Sequence, residues 1–134
     1  MKSDLILNKV SIIERCIRRI YEEYRQDPKN LENYTKQDSI ILNLQRASEA
    51  SINLAMHIVA TKKLGLPSIT IDAFTILETE GILSPILSSK MKDLISFSKE
   101  AVQNLNGINL VNLQTILDTH LVVYFEFTKT IVLY

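Results

Sequence analysis

Arg46, Glu49, Asn53 and His57 are the residues of this chain whose types and spacing best suit chemistry. Separations of three, four and four place them in one line along a helix, and Asn43 extends its upper end. A guanidinium that can hold a phosphate, a carboxylate, an amide and an imidazole in one row would furnish a polar cleft. The same row also reads as a solvated helix face, with an Arg46–Glu49 ion pair worth about 0.3 kcal/mol.

Other reactive groups are sparse. His57 and His120 are the only two histidines, and neither sits in a His-Glu-x-x-His or similar spacing, so no metal site is expected. His120 follows Asp118 in an otherwise apolar stretch and reads as a surface or half-buried histidine. Cys16 is the single cysteine, which excludes an intrachain disulfide; between Ile13 and Ile17 it reads as a buried, inert thiol. No two of the three glycines lie close together, so there is no glycine-rich phosphate loop, and no cofactor is expected. Arg15, Arg18 and Arg19 could touch phosphates, but Glu14, Glu22 and Glu23 surround them, and a solvated mixed-charge face is the reading taken. Lys62-Lys63 suits a helix C-terminus electrostatically.

The elements that must carry these groups are marked by glycine and proline. Gly65, Gly81, Gly107, Pro28, Pro67 and Pro85 divide the chain into five helical segments. In the first, residues 5–25, Ile6, Val10, Ile13, Ile17, Ile20 and Tyr24 share one face. The second, residues 35–64, is apolar around most of its circumference and should lie centrally, with Gly65 and Pro67 as its stop signal. A short third spans residues 72–80. The fourth opens at Ser84-Pro85, a capping serine before a proline at the first helical position, and runs toward Asn106-Gly107. The last runs from residue 109 to the end through Leu110, Leu113, Leu117, Leu121 and Tyr124. From Val123 onward the residues nearly alternate as in a strand. No other segment alternates to pair with it, so this stretch is read as helical, or frayed at its end.

With 134 residues, 46% hydrophobic and 22% charged, the expectation is one soluble all-α domain over residues 1–134. Fifteen basic residues balance fifteen acidic ones, which removes a global basic field for nucleic acid. DNA is not an expected partner. Met1-Lys2-Ser3-Asp4 leads into three apolar residues that Asn8 and Lys9 interrupt, unlike a signal peptide, and no run approaches the roughly 18 apolar residues of a membrane span. The expected compartment is the cytoplasm, with no membrane association. The apolar stretch 121–133 and the two-sided apolar second helix exceed what so small a bundle easily buries, and point to a homodimer.

The segments together resemble the HepT-like toxins of the HEPN group, helical proteins encoded beside a minimal nucleotidyltransferase. The first helix carries Leu7-Asn8-Lys9-Val10 and Ile13-Glu14-Arg15-Cys16-Ile17-Arg18-Arg19-Ile20. The most distinctive match is Gln37-Asp38-Ser39-Ile40-Ile41-Leu42-Asn43-Leu44-Gln45-Arg46-Ala47-Ser48-Glu49-Ala50, continuing through Ile52-Asn53-Leu54-Ala55-Met56-His57-Ile58. Leu64-Gly65-Leu66-Pro67, Asp72-Ala73-Phe74 and Leu77 with Gly81-Ile82-Leu83 fit the family's middle. The resemblance implies a HEPN-like bundle of four to five helices that dimerises, with an RNA-cleaving site where two protomers meet. It also implies a nucleotidyltransferase antitoxin, which in related pairs silences the toxin by attaching AMP to a tyrosine of that site.

In that family the site carries an Arg, four residues, a His, any residue and a Tyr. Here the corresponding stretch is Phe97-Ser98-Lys99-Glu100-Ala101-Val102-Gln103-Asn104-Leu105. Ser98 stands at the Arg position, Gln103 at the His position and Leu105 at the Tyr position. Ser98 carries no charge, Gln103 does not titrate and Leu105 has no hydroxyl, so all three are expected to be non-functional. Lys99 could supply charge but has no general base beside it. Three readings follow: an impaired HepT-like protein that keeps the dimeric bundle, with or without its nucleotidyltransferase partner; a ribonuclease rebuilt from Arg46, Glu49 and His57 with Lys99; or a helical nucleotide- or protein-binding module with no nuclease role.

Overall fold

Apolar residues at helical spacing turn inward from six helices, and a computed structural model, describing residues 3–134, shows how they meet. Met1 and Lys2 of the N-terminal opening lie outside the described residues. α1 (Asp4–Tyr24) buries Val10, Ile13, Ile17, Ile20 and Tyr24 along one face and packs chiefly on α2 (Tyr34–Thr61). α2 is the central element, burying residues around most of its girth, among them Ile40, Leu44, Ala47, Ala50, Leu54, Ala55 and Ile58. α3 (Asp72–Thr79) and α4 (Pro85–Gln103) pack on it, α6 (Val122–Leu133) packs on α1 and α4, and α5 (Leu110–Thr119) lies against a 3-10 turn at Pro28–Glu32, with a second such turn at Leu105–Gly107. Among the described residues there is no strand, and no helix is long and apolar enough to cross a membrane.

The ends are set by local chemistry. Ser84 caps α4, its Oγ accepting the Leu87 N–H at 3.1 Å, with Pro85 in the first turn as the sequence predicts. Asn33 and Asn109 cap α2 and α5 in the same way. α3 stops where Gly81 takes φ 76° and the Ile82 N–H bonds back to the Leu77 carbonyl at 2.9 Å, a turn that suits a residue without Cβ.

The structure parts from the five-segment reading at one place. The last segment is two helices, because the chain turns at His120-Leu121 through three-residue bonds: the Val123 N–H to the His120 carbonyl and the Tyr124 N–H to the Leu121 carbonyl, each 3.1 Å. The turn lets α5 bury Leu113 and Leu117 while α6 buries Val123, Tyr124, Phe127, Thr128 and Ile131. It needs no glycine or proline and so leaves no mark in the sequence. The near-alternating residues from Val123 are helical. Phe127 stacks tilted on Phe74, ring centres 5.6 Å apart. α4 ends at Gln103, before the 3-10 turn that carries Leu105.

Candidate functional site

Two concavities open on neighbouring faces of α2, and the helix period explains their separation. At about 100° per residue, Gln45, Ser48 and Ile52 point one way, Asn43, Arg46, Ala50 and Asn53 another, and Glu49 falls between. The first set faces α4, forming a cleft of about 630 Å³ whose opposite wall is Ile95, Ser96, Ser98, Lys99, Val102 and Gln103, closed by residues 69–71. The second set faces α1, forming a groove of about 260 Å³ with Lys9, Ile12, Arg15, Cys16 and Arg19.

The α2/α4 cleft holds Ser98 and Gln103, two of the three positions that the resemblance matches to the family's motif. Ser98 is buried at 3% exposure, and its Oγ donates to the Ile95 carbonyl at 2.9 Å. Lys99 and Gln103 are exposed at the rim. Leu105, 46% exposed, lies past the end of α4 in a separate hollow with Tyr34, Gln37, Asp38 and Ile108. Ser48, on the α2 wall, lies with its Oγ 2.8 Å from the Tyr124 hydroxyl in the core. Burial pushes the Tyr124 hydroxyl well above the usual phenol range, so it stays neutral and reports packing rather than proton transfer.

The polar line of α2 is not one site with Lys99. Arg46, Glu49 and Asn53 line the α1 groove, Glu49 and Lys99 share the α4 cleft, and His57 lines neither. The reason is geometric: α1 and α4 pack on different faces of α2, so a row that is continuous on the helix is divided by its neighbours. Glu49 accepts from Gln45 Nε2 at 3.3 Å, and no Arg46–Glu49 ion pair forms among the described residues. His57 Nε2 lies 3.5 Å from the Thr61 hydroxyl, and His120, at the α5–α6 turn, meets Thr119. No histidine lines the α2/α4 cleft. Cys16 is buried as expected; burial pushes its thiol up while Arg15, Arg46 and Arg19 pull it back.

A family model described as Ribonuclease HepT-like matches residues 10–131, nearly the whole of the bundle. The chain belongs to the HepT-like ribonuclease family. A curated HepT-like relative, the mRNA nuclease HepT of Shewanella oneidensis, is 35% identical over 129 residues, covering 96% of this chain and 97% of its own length. Among solved structures, the tri-AMPylated Shewanella oneidensis HEPN toxin in complex with MNT antitoxin matches with TM-score 0.93 and 34% identity, covering 99% of this chain and all of that one. A crystal structure of a toxin–antitoxin with AMP-PNP matches with TM-score 0.92 and 34% identity, covering 98% of this chain and all of that one.

Of the residues lining the α2/α4 cleft, the sequence singles out Ser98, Lys99, Gln103 and, on the opposite wall, Glu49, but not Gln45, Ser48 or Ile52. Gln45, Ser48 and Ile52, spaced three and four, form a helical row of their own, and that spacing was the available signal. The wall formed by residues 69–71 had none, because loop placement depends on tertiary packing.

Proposed function

We propose that this chain is the toxin-type member of a two-protein pair whose nuclease centre has lost its working groups while its scaffold persists. The observation that carries this reading is the α2/α4 cleft: it presents Ser98, Lys99 and Gln103, and no imidazole. Cleavage of RNA through a ribose hydroxyl needs a group that takes a proton and a cation that steadies the phosphate. Gln103 cannot do the first. Ser98 spends its hydroxyl on its own helix. Lys99 supplies charge alone.

A minimal nucleotidyltransferase is the partner this reading names, supported by the solved relative in complex with its MNT antitoxin. Leu105 offers no hydroxyl for AMP, so the partner would hold this chain by contact. A homodimer belongs to the same reading. The α6 stretch supports it only in part, since Val123, Tyr124, Phe127 and Ile131 are buried within the protomer while Val122, Val132 and Leu133 are exposed. Better support comes from Leu42 and Leu105, exposed at 44% and 46% beside one shallow hollow. The cytoplasm is the compartment proposed.

The test is direct. Purified protein is incubated with tRNA and with a 3′-labelled RNA, and separately used to capture a co-expressed minimal nucleotidyltransferase. Background cleavage with capture is the expected result. Robust cleavage abolished by altering Lys99 or Gln103 would favour a rebuilt nuclease, and no capture would favour a binding module unrelated to such a pair.

A further inference from the structure

The groove between α1 and α2 lies apart from the motif-bearing cleft, and its residues make a separate demand for a ligand. Lys9, Arg15 and Arg19 from one helix and Arg46 from the other line it. None of the four forms an ion pair among the described residues. The mixed-charge surface expected around Arg15 and Arg19 is sorted by the fold. Glu14 turns away to accept the Thr128 hydroxyl at 2.9 Å, Glu22 and Glu23 do not line the groove, and Glu49 is its one acidic lining residue. Four cations against one carboxylate, in a concavity, select an anion.

A second observation specifies more than charge. Asn43 is buried at 4% exposure among the lining residues. Its Nδ2 donates to the Ser39 carbonyl at 2.9 Å, which fixes the amide orientation, since a flipped amide would set oxygen against oxygen. Oδ1 is then left buried with no hydrogen-bond partner. A bare phosphate, which only accepts, cannot satisfy it; a hydroxyl can. Arg15, Arg46 and Arg19 all act on the Cys16 thiol, which lines the same groove as Asn43.

We propose that the α1/α2 groove binds a ribonucleotide unit, its phosphate held by Arg15, Arg19 and Arg46, and that a shift of the side chains covering Asn43 Oδ1 opens that atom to a donating ribose hydroxyl. The volume, about 260 Å³, suits one sugar-phosphate with the base turned outward. Such a unit comes either from free nucleotide or from a single RNA strand laid along the groove. The ribose hydroxyl is the feature that separates RNA from DNA. Occupancy here does not depend on whether the α2/α4 cleft cleaves anything.

The test uses fluorescence anisotropy of the full-length chain with a short labelled single-stranded RNA at low salt, competed by the matching DNA, AMP, deoxy-AMP and inorganic phosphate. RNA is expected to compete better than DNA, and AMP better than deoxy-AMP if free nucleotide is the source. Arg15→Ala with Arg46→Ala should weaken binding at least about 10-fold and flatten the dependence of log affinity on log salt by about 0.7 for each phosphate no longer neutralised. Lys90→Ala, an exposed cation that lines neither the groove nor the α2/α4 cleft, should leave binding unchanged. Asn43→Ala, with its fold checked by circular dichroism, should erase the preference for ribose. Equal binding of RNA and DNA, displacement by inorganic phosphate alone, or loss of binding in Lys99→Ala with none in the Arg15/Arg46 variant would overturn the assignment.

Discussion

The Ser98 hydroxyl donates to the Ile95 carbonyl at 2.9 Å, so the residue that the resemblance sets at the family's arginine position is tied to its own helix one turn back. A serine so engaged is a packing residue, which is why its cleft can persist without its chemistry. The cleft remains deep enough, at about 630 Å³, for a longer side chain at this position to extend into it.

Restoring the motif should therefore restore chemistry. Gln103 and Leu105 are exposed and tolerate exchange, and an arginine at 98 can carry its charge into the cleft along an apolar stem. The triple variant Ser98→Arg, Gln103→His, Leu105→Tyr should cleave 3′-labelled RNA at least about 100-fold faster than the parent, the lower range of what a positioned acid or base supplies. A folded triple variant that stays at background would show that the surrounding wall, too, has drifted from a cleaving geometry.

A second prediction concerns pH. Tyr24, fully buried, donates to Asp118 Oδ1 at 2.7 Å and ties α1 to α5. Burial, then the Asp118 hydrogen bond and charge, push its hydroxyl up to about 12. The folded state thus holds this proton more tightly than the unfolded one. Its contribution is complete below the unfolded value near pH 10 and is lost as pH rises through about 12. Tyr24→Phe should cost about 1 kcal/mol at neutral pH and lose less stability than the parent on going above pH 10. Parallel alkaline melting curves for the two proteins would refute the assignment.

The helices were legible because burial wrote itself at helical spacing: Ile13, Ile17 and Ile20 on α1, Leu113 and Leu117 on α5, and the Ser84-Pro85 start of α4. What the sequence hid was made by packing. The turn at His120-Leu121 needs no special residue, and the division of the polar line of α2 follows from where α1 and α4 lie. Asn43 was visible as part of that line, but its orphaned oxygen was not, since that depends on Ser39 claiming the amide nitrogen. Ser98, Gln103 and Leu105 are singled out only by resemblance, since nothing in their types marks a site.

The Ser48–Tyr124 pair supplies a test of how the cleft wall is fastened to the core. Both groups are buried and meet at 2.8 Å, and no other partner is present for either hydroxyl among the described residues. Removing one orphans the other, so Ser48→Ala and Tyr124→Phe should each cost about 1–3 kcal/mol. The double variant should cost clearly less than their sum, with both measured by urea denaturation. Additive losses would mean that the two hydroxyls do not depend on each other.

The association surface is the last point open to measurement. Leu42 on α2 and Leu105 beyond α4 flank a hollow with Ile41 and Val102, next to the rim where Gln103 is exposed. Leucines nearly half exposed side by side are costly to leave in water, whereas the apolar side chains Val123, Phe127 and Ile131 of α6 are covered by its own chain. A second copy meeting this surface would place two motif-bearing clefts near one another. The parent should therefore sediment as a dimer at micromolar concentration, and Leu42→Glu with Leu105→Glu should weaken association at least about 10-fold, since burying each unpaired carboxylate opposes contact. Helical content should not change, because both side chains already face solvent. If the parent is a monomer, or the variant dimerises as well as the parent, the contact lies elsewhere.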